Sequence, residues 1–178
     1  RGTEGKIAAI KYARENKIPY LGLCYGMQLA AIEYARDVVG LEGASSTEID
    51  ENTKYPIVHD IPFDPNYQRI KGNGASMRLG TYPTILKKDS LAASIYGTTQ
   101  ISERHRHRYE FNNEYRKVLE DKGFVISGTS PDDFFVEMIE LPSNIHPFFL
   151  ATQAHPEYKS RPLSPHPVFT AFLSSATK

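Results

Sequence analysis

Gly22-Leu23-Cys24-Tyr25-Gly26-Met27-Gln28 contains the only cysteine in the chain, with a glycine two residues before it and another two after. The apolar run Pro19–Leu23 leads into it and is too short for a helix, so it reads as a buried strand. Upstream, Ile7, Ile10 and Ala13 or Arg14 recur at helical spacing, Asn16 and Lys17 close that helix, and Pro19 stands just past its end. Downstream, Met27, Leu29, Ala30, Ile32, Tyr34, Ala35, Val38 and Val39 repeat the helical pattern up to Gly40. Helix, strand, sharp turn, helix predicts an α/β domain: an open, mostly parallel twisted sheet with helices on both faces.

Further along the pattern loosens. Residues 43–76 are rich in Gly, Ser, Asn, Asp and Pro around one apolar patch, Ile57-Val58, and read as a long surface excursion with at most a short strand. Met77–Gly80, Thr84–Leu86, Phe124–Ser127, Phe134–Ile139 and Phe148–Gln153 read as strands, with Pro131-Asp132-Asp133 turning between the third and fourth. Ser90 is placed to cap a short helix through Tyr96, Glu114–Lys122 forms another that Gly123 ends, and Pro167–Ser174 forms the last.

The bulk composition excludes several classes. At 178 residues the chain has the length of one domain, and its 21 basic and 21 acidic side chains cancel. That balance lacks the one-sided positive field of a nucleic-acid or membrane-surface binder. No apolar run nears the ~18 residues of a membrane span. A single cysteine cannot form an internal disulfide, which fits a reducing, cytoplasmic setting. The opening Arg1-Gly2-Thr3-Glu4-Gly5, without Met and running straight into a helix, reads as a fragment with an upstream part missing.

Gly-x-Cys-x-Gly at a strand-to-helix junction is the nucleophile-elbow pattern with cysteine in place of serine. Such a turn strains the nucleophile's backbone and brings the flanking residues together, so both must be small. The helix N-terminus favours thiolate over thiol, and the N–H of Tyr25 is placed to stabilise an oxyanion. A buried structural cysteine is the competing reading, and the glycine frame leaves the two balanced. A thiol nucleophile also needs a base and a group to orient it. Of the six histidines, His155 directly follows the strand ending Thr152-Gln153-Ala154, and Glu157 follows past Pro156. Residues just past strand C-termini share a rim with the elbow, so Glu157 can hold one ring nitrogen while the other faces Cys24. Together with the elbow, this favours the catalytic reading.

In Glu103-Arg104-His105-Arg106-His107-Arg108-Tyr109-Glu110 an extended backbone puts the arginines on one face and the histidines on the other. The flanking guanidiniums disfavour a metal and suit a carboxylate or phosphate. The plainer alternative is that they pair with Glu103 and Glu110. His59, His146 and His166 sit beside turns and receive no chemical role.

PYLGLCYGMQ, SSTEID, MRLG, ERHRHRYEFNN and QAHPEYKSRP, in that order and spacing, resemble the glutamine amidotransferase (class I, triad type) domain of the CTP synthase family over essentially the whole chain. The elbow and HPE alone would indicate only the broader class, whereas the ERHRHRYE and SSTE segments are more specific. The resemblance implies that Cys24 attacks the glutamine side-chain amide, giving a thioester and ammonia. It makes His155 the general acid and base, Glu157 its orienting partner, and the Tyr25 N–H an oxyanion donor. Gln28, Glu48 and Arg108 match glutamine-binding positions, and an acid for the ammonium with an arginine for the carboxylate suits an amino acid. It implies no cofactor or metal in this domain. An upstream synthetase domain would convert UTP to CTP with ATP and Mg²⁺, with GTP as activator, in a homo-oligomeric (tetrameric) parent.

Three departures are visible. The family's glycine-rich oxyanion loop would lie just before Arg1, so the fragment is expected to bind or hydrolyse glutamine weakly or not at all; the synthetase domain is absent, so this chain alone is not expected to make CTP; and position 25 is Tyr where the family usually has Leu. The alternatives are another triad-type amidotransferase or γ-glutamyl hydrolase, or a catalytically silent module that only binds or regulates a partner.

Overall fold

The computed structural model describes residues 2–60 and 77–177. Helix α1 (Thr3–Glu15) buries Ile7 and Ile10, two of the positions that set its period. Strand β1 (Tyr20–Leu23) runs to Cys24, and α2 (Tyr25–Tyr34) starts immediately after it. Every residue of α2 from Met27 to Tyr34 is buried, so this is a core helix with no solvent stripe. It continues as a π-helical turn, Ala35–Val39, that stops at Gly40, where φ is 87°.

The other strands are β2 (Ser45–Ser46), β3 (Pro56–Asp60), β4 (Arg78–Leu86), β5 (Gln100–His107), β6 (Tyr109–Phe111), β7 (Val125–Thr129), β8 (Val136–Glu140) and β9 (Phe149–Thr152). The later helices are α3 (Leu91–Tyr96), α4 (Arg116–Glu120) and α5 (Pro167–Ala176). A six-stranded sheet has the order β1-β9-β8-β7-β4-β5, and a three-stranded sheet has the order β2-β3-β6.

The α/β class and the helices on both faces hold. Phe149, Ala151 and Ile139 face α1 and α2, while Leu150 and Met138 face Ala92 of α3 and Val168 of α5. The expected mostly parallel pairing does not hold. Within the large sheet only β1 and β9 run parallel; β9–β8, β8–β7, β7–β4 and β4–β5 are antiparallel. For β7–β8 and β8–β9 the reason lies in the connections. A parallel pair needs a crossover of about a dozen residues or more, and residues 130–135 and 141–148 are too short for that. They fold as tight reversals, the first closed by Ser130 Oγ accepting from Phe135 N at 2.8 Å.

Two smaller readings also change. Met77–Gly80 and Thr84–Leu86 are not separate strands: β4 runs unbroken through Gly80 and Pro83, paired along its length with β5. The 43–76 excursion is only partly surface. Ser45, Ser46, Ile57 and Val58 are buried in the small sheet, because Ile57 and Val58 pack into the same core as α2 and Phe111. Residues 61–76 of that excursion lie outside the described residues. Ser90 caps α3 as expected, accepting from Ala93 N at 3.0 Å.

Candidate active site

The site forms where β1 and β9 end side by side. Their parallel register pairs Leu23 with Thr152, so Cys24 leaves one strand end and His155 follows three residues past the other. The Cys24 N–H donates to the Thr152 carbonyl at 2.8 Å, which extends that pairing by one residue. The Cys24 backbone then turns sharply, with φ 48° and ψ −100°, a conformation costing a non-glycine residue about 1–3 kcal/mol.

The glycine frame is sterically required. A Cβ on Gly22 would lie 2.9 Å from the Gly26 carbonyl carbon, 2.9 Å from Ala151 Cβ and 2.8 Å from the Tyr20 hydroxyl. On Gly26 it would lie 3.3 Å from that hydroxyl. The same hydroxyl donates to the Gly26 carbonyl at 2.8 Å and so latches the turn closed.

Cys24 is half-buried. Burial pushes its thiol up to about 11, against the Tyr25 N–H and the Gln153 amide, which pull it down. The helix N-terminus expected to favour a thiolate therefore does not prevail: desolvation is the larger effect, and Glu110 and Glu157 add to it. The resting group is a thiol that must hand its proton to a base.

His155 opens a short 3₁₀ turn, Pro156–Tyr158. Its Nδ1 lies 2.5 Å from Glu157 Oε1, its ring stacks on Tyr158 with centroids 5.2 Å apart, and its N–H donates to the Arg104 carbonyl at 2.8 Å. Glu157 thus occupies one ring nitrogen and leaves Nε2 for other partners.

A cavity of about 750 Å³ opens at Cys24. Tyr25, Gln28, Glu48 and Arg108 line it, together with Arg106 and His107. Glu48 follows β2 of the small sheet, Arg106 is on β5 of the large one, and Arg108 is the single residue joining β5 to β6. Along β5 the arginines are exposed and the histidines buried, as the alternation predicts. The plainer alternative, pairing of these arginines with Glu103 and Glu110, is not what occupies those acids. Glu110 Oε1 lies 2.8 Å from His107 Nε2 and 3.4 Å from Arg78 Nη1, and Glu103 Oε1 lies 2.8 Å from His166 Nε2. His166 therefore has a structural partner, and it also caps α5.

Two residues, one at the thiol and one behind the cavity, carried no separate signal in the sequence. Gln153 reads as the last residue of an apolar strand, yet its Nε2 lies 3.6 Å from Cys24 Sγ. Arg78 is a lone arginine in a strand, yet it is 1% exposed and its guanidinium joins Glu110 to Glu137 behind the cavity wall. The alternation along β5 could have flagged a buried charge partner for the histidines, but not which arginine supplies it.

A strained cysteine at a strand-to-helix elbow, open to a polar cavity, with a histidine–carboxylate pair just past the end of the neighbouring strand, defines the nucleophile-elbow class of α/β domains. The chain belongs to the class-I glutamine amidotransferases, whose family model matches residues 1–175. It is 54% identical to a CTP synthase of Staphylococcus aureus (strain JH9) across all of this chain and 32% of that protein. The chain thus spans about a third of the length of the curated relatives it matches. A solved structure of the Trypanosoma brucei CTPS glutaminase domain with bound acivicin superposes with a TM-score of 0.89 at 38% identity, over 99% of this chain and 67% of that one. A glutamine amidotransferase from Thermotoga maritima shares the fold, at TM-score 0.51 and 16% identity over 86% of this chain and 47% of that one. Among the described residues no helix is long and apolar enough to cross a membrane.

Proposed function

We propose that this chain is the glutaminase domain of a CTP synthase and hydrolyses L-glutamine to glutamate and ammonia. The observation that carries the proposal is the strained Cys24 opening onto a cavity lined by both Glu48 and Arg108. An acid and a guanidinium suit the α-ammonium and α-carboxylate of one amino acid, while the side-chain amide extends toward the sulfur.

Chemically, Cys24 Sγ attacks the amide carbon as its proton passes to His155 Nε2, whose charge Glu157 stabilises at Nδ1. The oxyanion draws on the Tyr25 N–H. His155 returns the proton to the nitrogen as the C–N bond breaks, and ammonia leaves. Water, deprotonated by the same imidazole, then cleaves the thioester, and glutamate departs with the thiol restored. Gln28 contributes to the wall beside the amide.

In the full-length protein the ammonia would reach a synthetase domain that aminates UTP with ATP and Mg²⁺, activated by GTP, in a homo-oligomer, tetrameric and cytoplasmic. Among the described residues no group of three or more His, Cys, Asp or Glu side chains gathers to hold a metal. No step of the proposed hydrolysis runs through one.

Glutamate release from L-glutamine, compared between the unaltered chain and Cys24→Ala, tests the reading. Loss of all glutamate release in the variant supports it. Activity that survives removal of the sulfur contradicts it. The ERHRHRYE and SSTE segments favour this family over another triad amidotransferase.

A further inference from the structure

Gln153 is fully buried, yet its side chain has a job that packing does not require. Its Nε2 lies 3.6 Å from Cys24 Sγ and its Oε1 lies 3.2 Å from Gln28 Nε2. Gln28 Nε2 in turn donates to the Tyr109 carbonyl at 2.9 Å.

The far end of this chain fixes the orientation of both amides. A backbone carbonyl can only accept, so Gln28 must present its NH₂ group to Tyr109. Its second N–H then points at Gln153, which must answer with oxygen. Only the Gln153 NH₂ group is left to face the sulfur. Flipping either amide would set donor against donor or acceptor against acceptor inside a buried site. Tyr109 belongs to β6 of the small sheet and Gln153 to the end of β9 in the large one, so the relay spans the two sheets and ends at the thiol.

We infer that Gln153 is a positioning residue: its amide, held by Gln28 and the Tyr109 carbonyl, donates to the Cys24 sulfur whenever that sulfur carries negative charge. Two moments qualify, when the thiol loses its proton to attack and when thiolate leaves the thioester. Between them the acylated sulfur is a poor acceptor and gains little from the donor. Such a contact acts in the transition states more than on bound glutamine, so its loss appears in kcat and not in KM. The charged groups around the sulfur make a donor necessary. Glu110 and Glu157 both disfavour the thiolate. The cavity lining adds Glu48, Arg106, His107 and Arg108, together with Tyr25.

For its catalytic consequence this inference rests on the glutaminase reading, but its primary readout does not. That readout is the rate at which Cys24 is alkylated by iodoacetamide, a small neutral electrophile, across a pH series. Gln153→Met keeps the shape and removes the donor. It should slow alkylation by about tenfold at fixed pH, the equivalent of about one unit in the thiol's titration. Gln28→Met releases the Gln153 amide and should slow alkylation less. The double variant should match Gln153→Met alone, because Gln28 influences the sulfur's charge through Gln153. Thermal melting checks that each variant is folded, and if Gln153→Met does not fold, Gln28→Met alone still carries the test. Alkylation at the unaltered rate in a folded Gln153→Met, or in Gln28→Met where that variant stands alone, overturns the inference, as does a double variant whose effect is the sum of the two. If alkylation follows the predicted order but the unaltered chain releases no glutamate, the glutaminase reading fails and the positioning role stands.

Discussion

Arg78 on β4 holds Glu137 on β8 at 2.6 Å, and each side chain is 1% exposed. The same guanidinium lies 3.4 Å from Glu110 on β6 and is stacked between the rings of Tyr82 and Phe135, at 4.5 and 4.3 Å from their centroids. It ties the two sheets together directly behind the cavity. Burial pushes Glu110 up, but His107 and Arg78 more than offset it and hold that carboxyl below its usual range.

Removing one partner of this pair leaves a buried charge uncompensated. Arg78→Met should therefore destabilise the fold by about 3–5 kcal/mol. Adding Glu137→Met to it should recover much of the loss. Urea unfolding of the single and double variants reads both effects, and a single variant as stable as the unaltered chain would contradict the assignment.

His105 supplies a pH dependence. Burial, reinforced by Arg78 and His107, pushes its ring down to about 2. Glu137 Oε2 lies 3.6 Å from its Nδ1, too far for a hydrogen bond to reverse that. The folded state thus keeps His105 neutral while the unfolded chain protonates it near 6.5. Its contribution to stability is complete above that pH and is lost as pH falls toward 2, by up to about 1.4 kcal/mol per unit. His105→Gln should narrow its stability gap to the unaltered chain between pH 7 and pH 5, as read by denaturant midpoints. A gap that stays constant would show that His105 does not titrate this way.

The elbow makes a graded prediction. Gly22→Ala pushes a methyl against backbone and should cost about 1–3 kcal/mol and displace the nucleophile. Gly26→Ala meets only the Tyr20 hydroxyl, at 3.3 Å, and should cost less. Thermal melting with a glutamate-release assay orders the two, and the reverse order would contradict the geometry.

The elbow and the contact between His155 and Glu157 were legible in advance because their logic is local. Gly22 and Gly26 around Cys24, and His155 spaced from Glu157 by a proline, are short patterns dictated by covalent geometry. The sheet was harder. Parallel or antiparallel pairing depends on how residues 130–135 and 141–148 reverse, and apolar strand runs look the same in either direction. Arg78 was invisible for a related reason: its partners Glu110 and Glu137 are distant in sequence and come together only once β4, β6 and β8 are in place. Desolvation of Cys24 likewise depends on what closes over it, which a helix N-terminus read from sequence does not show.

Arg108 tests substrate recognition. If it holds the α-carboxylate of glutamine, Arg108→Ala should raise KM for glutamine by roughly 10-fold to 100-fold, the worth of a charge-assisted contact. Steady-state kinetics decide it, and an unchanged KM would remove Arg108 from the binding site.

The central claim is that Cys24 is a nucleophile in a glutamine site, and the most direct measurement is intact-mass analysis after treatment with a chloroketone analogue of L-glutamine, with and without excess glutamine. The account predicts one adduct, located on Cys24 by peptide mapping and suppressed by glutamine. No adduct, or one that glutamine leaves undiminished, would contradict it.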